Sequence, residues 1–222
     1  MIDTKQKILD AAERIFADQG YGAVSLRQII ADAEVNLAAI HYHFGSKQEL
    51  LDAVIMRRAG PVNRERLARL DRLEAQPGAQ PAVEQVLEAF LMPMAEVAEN
   101  HPGFPKLMGR MQAEGILTEV IARNFQPMLG RFIGAMRKAV PDLPDSDFRW
   151  RVHFGQGCIA HAMSTELPPP PGAGDISGFP GRIQRLIAFL SGAFRAPAAV
   201  VRKGVVSKSV ARKPAKKLGK GK

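Results

Sequence analysis

The chain has 222 residues, 46% of them apolar and 24% charged, which is enough to bury a sizeable core and excludes a disordered or fibrous chain. No basic-then-apolar leader and no apolar run near the ~20 residues of a membrane span is present, so a cytoplasmic protein is expected. The single Cys158 excludes an internal disulfide and is read as a small buried hydrophobe in a reducing compartment.

The formal net charge of +9 is concentrated at one end. Residues 197–222 hold nine of the 31 basic residues and no acidic one, so the rest of the chain has as many basic as the 22 acidic residues. The segment 196–222 is expected to be a disordered Lys/Arg-rich tail, either solubilising or able to hold phosphates without sequence preference.

Taken in order, the first element is a helix from about Thr4 to Gln19. Ile8, Leu9, Ala12, Ile15 and Phe16 form its apolar stripe and Gly20 its stop. Ser25 followed three residues later by Gln28 is a capping box, so a second helix begins there. Leu26, Ile29, Ile30 and Ala33 fall at i, i+3, i+4 and i+7 and give that helix one buried side. Glu34-Val35-Asn36 interrupts the pattern, Val35 as an apolar plug and Asn36 as the N-cap of a third helix. A turn of about three to four residues between two short helices is the spacing of a helix-turn-helix.

In the third helix Leu37, Ile40 and Phe44 are expected to point inward, leaving Ala38, Ala39, His41, Tyr42 and His43 outward. Small residues allow close approach and apolar contact with thymine methyls, and neutral donors suit phosphates and base edges, so this face fits double-stranded DNA. Its cations are few: Lys5, Lys7, Arg27 and Lys47. Gly45 ends the helix, and Ser46 with Glu49 forms a second capping box that opens a fourth, with Leu50, Leu51, Val54 and Ile55 on its apolar side.

The run K-x-x-I-L-D-A-A-E-x-x-F-A-x-x-G-Y from Lys5, followed by V-N-L-A-A-I-H-Y-H-F-G-S-K and Q-E-L-L, resembles the N-terminal domain of the TetR family of bacterial transcription regulators. The likeness is ungapped from Lys5 to about Leu51. Family members usually read Gly-Thr at Ala38-Ala39 and often Tyr at His41, departures that touch base preference rather than fold. The resemblance implies an all-α protein with a three-helix helix-turn-helix domain at 1–50 and a helical ligand-binding and dimerisation domain at 51–195. It implies DNA contacts from Ser25, Arg27, Asn36, Leu37, Ala38, Ala39, His41, Tyr42, His43 and Lys47, the last on a phosphate at the start of the fourth helix.

Further along, Gly60-Pro61 is expected to kink or interrupt the fourth helix, and Asn63 to Glu74, dense in charge, to face solvent. Residues 76–80 read as a loop. Helices are expected from Pro81 to Asn100, disturbed at Pro93, then at 105–113, at 115–139 with a bend at Pro127, at 146–166 after a turn at Asp142–Asp145, and from Gly181 to Phe194. Leu167–Pro180 reads as a loop. No segment alternates with period two, so no sheet is expected.

The 146–166 segment contains F-R-W-R-V-H-F-G-Q-G, and with N-L-A-A-x-x-Y-H-F-G-S-K it resembles the PsrA-like branch of the family, which responds to long-chain fatty acids or their CoA thioesters. A small hydrophobic effector is therefore implied. Met92, Met94, Phe104, Met108, Met111, Phe125, Met128, Phe132 and Met136 offer apolar surface that is either plain core or an acyl pocket. Met108, Met111, Phe125, Met128, Phe132 and Arg149 are the candidate effector residues; Arg110, Arg149 and Arg151 would pair with a carboxylate or phosphate, or form surface salt bridges. His153 and His161 share a face but lack a third metal ligand, so no metal is expected.

Small residues Gly155, Gly157, Ala160 and Ala162, and the stripe Ile183, Leu186, Ile187, Leu190 and Phe194, either build a four-helix bundle between two subunits or face the protein's own core. No P-loop, G-x-S-x-G, C-x-x-C or H-E-x-x-H occurs, and G-A-G-D-I-S-G at 172–178 follows prolines rather than a strand, so neither an enzyme nor a cofactor is expected. The reading is a homodimeric, ligand-responsive regulator on a palindromic operator, most simply a repressor, with no membrane partner; the alternative is a nucleoid-type architectural protein using its basic tail.

Overall fold

The computed structural model describes residues 3–75, 78, 80–101, 103–163, 171–172 and 178–198. Every regular element among them is an α-helix. The helices are α1 Thr4–Gln19, α2 Leu26–Ala33, α3 Leu37–Phe44, α4 Lys47–Glu74, α5 Val83–Asn100, α6 Gly103–Ala113, α7 Leu117–Asn124, α8 Gln126–Ala139, α9 Asp145–Met163 and α10 Gly178–Arg195.

The head is α1, α2, α3 and the first turns of α4. Ile8, Ala12 and Phe16 of α1 and Ile29 and Ile40 behind the helix-turn-helix lose all solvent contact, so their methyl and ring surfaces supply the burial that short helices need to persist. Arg14 pairs with Asp32 to tie α1 to α2. The body is built by α5 lying between α4 and α10, with α8 and α6 also against it and α9 packed on α10 and α6. One continuous apolar cluster joins head and body.

Several expectations are corrected here. Pro61 does not interrupt α4, which runs unbroken from Lys47 to Glu74. Asn63–Glu74 is not a solvated strip, because Val62, Arg66 and Leu70 form a buried stripe against α5 and only the opposite side carries exposed charge. The 115–139 segment is two helices, broken at Phe125, which ends α7 and precedes α8. Helix α10 starts at Gly178, so Gly178–Pro180 are helical rather than loop. The expected 76–80 loop is described only at Gly78 and Gln80, and 164–170, 173–177 and the tail from 199 lie outside the described residues. The α10 stripe Ile183, Leu186, Ile187, Leu190 and Phe194 is buried in the protomer's own core, chiefly on α5. Gly155 likewise sits against α10, where an added Cβ would touch Leu190 Cδ2 at 3.7 Å. Cys158 is half-buried with a free thiol.

Candidate nucleic-acid interface

The geometry of the helix-turn-helix follows from its caps. Ser25 Oγ accepts from the Gln28 amide at 3.3 Å, and Gln28 Oε1 accepts from the Ser25 amide at 2.7 Å, closing the capping box at the start of α2. Helix α2 ends in Glu34, whose φ of 54° is left-handed and reverses the chain sharply. Asn36 Oδ1 then accepts from the Ala39 amide at 2.9 Å and starts α3. Gly45, with φ 75°, ends it, and Ser46 Oγ accepts from the Glu49 amide at 3.1 Å to start α4. Five side-chain or positive-φ caps within one short stretch hold α3 at a fixed angle with no long loop.

Ile40 and Phe44 anchor α3 from behind. Leu37, expected beside them, is 48% exposed: it is the first residue of α3 and projects beyond the α1–α2 surface, so it joins the outer face instead. Tyr42 is 86% exposed and stands at the centre of that face, its ring edge-on to His43 at 5.0 Å. Ala38 is open, Ala39 and His43 are half-buried, and Ser25, Arg27 and Asn36 are exposed along the same side of the motif.

Two candidates are held by the protein itself. His41 Nδ1 lies 3.0 Å from the carbonyl oxygen of Gly45, so Nδ1 carries the hydrogen and caps the last turn of α3, leaving Nε2 for an outside partner. The Lys47 ammonium donates to the carbonyl oxygen of Tyr21 and lies over the Tyr21 ring at 4.2 Å. Half-burial lowers its pKa below the ordinary lysine value, against the opposing pull of Glu114. Lys47 thus braces the α1–α2 corner and must turn outward to meet a phosphate.

These observations describe a capped helix-turn-helix with one open, nearly uncharged outer face. Residues 8–54 match the sequence profile of "Bacterial regulatory proteins, tetR family", and residues 88–193 match "Tetracyclin repressor-like, C-terminal domain". The chain belongs to the TetR family. Its members are DNA-binding regulators rather than enzymes. The chain is similar to the HTH-type transcriptional regulator SrpR of Pseudomonas putida, 40% identical over 60 residues, which is 27% of this chain and 28% of that protein. It is similar to the HTH-type transcriptional repressor NicS, also of Pseudomonas putida, at 25% identity over 62% of this chain and 61% of that one. The matches therefore span less than two thirds of these relatives' own lengths. In fold it resembles the fatty acid degradation regulator FadR from Bacillus halodurans, with a TM-score of 0.60 at 13% identity over 89% of this chain and 99% of that one. A TetR-family regulator from Syntrophomonas wolfei gives 0.61 at 14% identity over 89% and 98%.

The body of this TetR chain places the candidate effector residues unevenly. Met111, Phe125, Met128 and Phe132 are buried in one core and Met108 is half-buried at its edge, whereas Arg149 is exposed near the start of α9, away from them. Arg110 is committed elsewhere, donating to the carbonyl oxygen of Asp18 at 3.1 Å. Arg151 caps α10, its guanidinium donating to the carbonyls of Ala193, Phe194, Ala196 and Pro197 at 2.7–2.9 Å. A shallow cleft of about 270 Å³ opens between α5 and α10, lined by Glu88, Met92, Gln184 and Ile187; none of the four is a candidate effector residue from the sequence, where Met92 counts only among apolar side chains of core or pocket.

Head and body meet through a charged stripe on α6. Lys106 pairs with Asp18 at 2.6 Å, Arg110 holds the Asp18 carbonyl, and Glu114 accepts from the Gly22 amide at 3.2 Å. The spacing puts Lys106 and Arg110 on the side of α6 facing the α1–α2 corner, and Glu114, one residue past the helix end, continues that line. Gly20 has φ 87°, a conformation that side-chain-bearing residues rarely adopt, and a Cβ there would in addition push the Glu114 carboxylate aside. The Lys106 hydrogen bond, then its charge, hold the Asp18 carboxyl below the usual carboxylate range. On the other side Arg123 meets Asp52 at 3.2 Å and Asn124 donates to it at 3.0 Å, fixing α7 to α4. No single residue pattern marks this junction in sequence.

Proposed function

We propose that the chain is a sequence-specific, ligand-responsive transcription regulator that works as a homodimeric repressor on a palindromic operator. The observation that carries the reading is the open outer face of α3, where Tyr42, Leu37, Ala38 and Asn36 stand clear on a backbone fixed at both ends by caps. Such a face enters the major groove of double-stranded DNA, with Ala38, Ala39 and Leu37 against base edges and Ser25, Arg27, Tyr42, His43 and a released Lys47 on phosphates.

Dimerisation is supported by apolar surface the protomer does not cover. Trp150 and Phe154 of α9 stack at 5.4 Å yet are 59% and 62% exposed, and Phe189 of α10 is also exposed. Monomeric proteins seldom leave such aromatics in water, and a second copy would bury them. Trp150→Asp with Phe154→Asp should convert the dimer to a monomer in sedimentation velocity.

The effector reading is a fatty acid or acyl-CoA. It is supported by the W-R-V-H-F resemblance at 150–154 and by the Met- and Phe-rich core of α6 and α8. An effector releases DNA only if it prefers a dimer whose two α3 helices no longer match successive major grooves. Footprinting of the DNA flanking the chain's own gene, with and without hexadecanoate and hexadecanoyl-CoA, tests the whole reading. A bounded palindromic footprint removed by one ligand class is the expected result; unbounded protection abolished by deleting 197–222 would instead favour the architectural alternative.

A further inference from the structure

The buried stripe of α4 contains one residue that does not belong in an apolar core. Val62 and Leu70 are almost fully enclosed, and between them, one turn from each, Arg66 is only 7% exposed. Its guanidinium lies over the Phe90 ring at 4.3 Å, and Phe90 packs on Phe132 of α8 with ring centroids 5.0 Å apart. Nε donates to the Phe90 carbonyl at 2.6 Å and one Nη to Asn63 Oδ1 at 3.1 Å. A guanidinium carries five N–H donors, so three have no protein acceptor among the described residues, and the Nη that bonds nothing is not sealed in the core but keeps an opening to solvent. No carboxylate lies within ion-pair distance of Arg66 among them either, although the neighbouring Arg69 has both Glu65 and Glu96.

Burying a charge without a counter-ion is costly, and two neutral acceptors and a ring face offset only part of that cost. Burial accordingly pulls the Arg66 pKa down to about 10. A hydrophobic side chain of similar size would complete the Val62–Leu70 stripe at less cost. What an arginine adds at this place is a planar fork that matches an oxyanion bidentately. Phe132 of that aromatic pair is also the middle of a buried apolar stripe on α8, with Met128 one turn before it and Met136 one turn after.

We propose that Arg66 anchors the anionic head of an amphipathic ligand, whose apolar body lies along the Phe90–Phe132 pair and the α8 methionines. The proposal rests on the effector reading above and deepens it. The head group is an oxyanion, either the free carboxylate of a fatty acid or a phosphate of its CoA thioester. Pairing removes the uncompensated charge from between α4 and α5, so the ligand-bound arrangement of these two helices is favoured by the ligand's charge and not by its apolar length alone.

The test titrates full-length wild type, Arg66→Met and Arg66→Lys with four probes: hexadecanoate, hexadecanol, hexadecanoyl-CoA, and 8-anilinonaphthalene-1-sulfonate, an anion with an unrelated apolar body. In wild type the anions should bind about 10-fold or more tighter than hexadecanol. Arg66→Met should lose about 10- to 100-fold for the anions and leave hexadecanol unchanged, as expected for hydrogen bonds to a charged group. Arg66→Lys, which keeps the charge without the fork, should recover part of the loss; if Arg66→Met fails to fold, Arg66→Lys carries the comparison, with a several-fold loss confined to the anions expected. Dependence on Arg66 for hexadecanoate alone assigns the carboxylate, and for the CoA thioester alone the phosphate. Equal binding of acid and alcohol, or anion affinity unchanged in both variants, overturns the anchor and leaves a hydrophobic effector standing. Arg66-dependent binding of the sulfonate without either acyl anion keeps the anchor and overturns the fatty-acid reading. Binding by none of the four overturns both.

Discussion

Helix α4 holds two cations in the same way and in opposite surroundings. Lys47, its first residue, donates to the carbonyl of Tyr21 and lies over that residue's ring; Arg66, in its second half, does the same with Phe90. Lys47 is half-buried at the surface of the head, with the Glu114 charge close enough to raise its pKa against burial. Arg66 is enclosed and has no acidic partner among the described residues. The bonds are alike, so burial decides what each cation can do. An ammonium near solvent exchanges a carbonyl for a phosphate at little cost, whereas an enclosed guanidinium stays in place and an anion must come to it.

The comparison can be broken most strongly from the body side. Phe90→Ala removes the ring that covers Arg66 and supports Phe132, and should destabilise the fold by about 3 kcal/mol in urea titration. A loss below about 1 kcal/mol would mean that the ring does not shield the guanidinium. The head side is read through DNA. Exchanging Ala38 or Ala39 for Ser or Thr should change the preferred base at one position of each half-site by about 1–3 kcal/mol, seen by selection from a randomised duplex pool. Tyr42→Ala should weaken all duplexes alike, by about 1.5 kcal/mol per subunit in a gel-shift series at fixed salt; an unchanged affinity would remove Tyr42 from the contact set.

Lys47→Met then sharpens the contrast with Arg66. If Lys47 leaves Tyr21 for a phosphate, the slope of log K against log salt should shrink by about 0.9 per subunit, and Arg66→Met should leave that slope unchanged. The smallest effect concerns acid. Because the folded pKa of Asp18 lies below its ordinary value, its latch to Lys106 contributes fully above about pH 4 and is lost as pH falls through the lower folded value. Protection of the Gly22 amide relative to its intrinsic exchange rate should fall over that acid window in wild type and change less with pH in Lys106→Met.

How far the sequence carried depended on the range of the interaction. The caps at Ser25, Asn36 and Ser46 were legible because each joins residues three apart, and nothing distant competes with them. The α1 and α2 stripes were legible for the same reason, as periodicity alone sets which side is apolar. Leu37 was misplaced because its exposure depends on how far α3 overhangs α1 and α2, a crossing geometry that periodicity does not contain. Arg66 was hidden by the density of charge around it, which reads as a solvated face until α5 is laid against it. Arg110 and Arg151 had been candidates for a ligand anion, yet they are taken up by backbone carbonyls far off in sequence, at Asp18 and at the end of α10. Of the two stripes offered for pairing between subunits, Leu190 and its neighbours face inward, as do Gly155 and Ala162, and the exposed aromatics Trp150 and Phe154 belong to neither stripe.

Pro61 has a mechanical consequence. It supplies no amide hydrogen, so the middle of α4 lacks one rung of its hydrogen-bond ladder, and bending there meets less resistance than elsewhere along the rod. Immediately before it, Arg57 and Arg58 are riveted to Asp10 and Glu13 of α1. Beyond it, Arg69 is fastened to α5 through Glu96, and Asp71 and Glu74 to α8 through Arg131. The head and the far half of α4 are thus two stiff members joined at a compliant hinge, and the strut from α6 to the Asp18–Gly22 corner spans it. Lys106, Arg110 and Glu114 all bear on the Asp18–Gly22 corner, so that strut couples α6 mechanically to the head that carries α3.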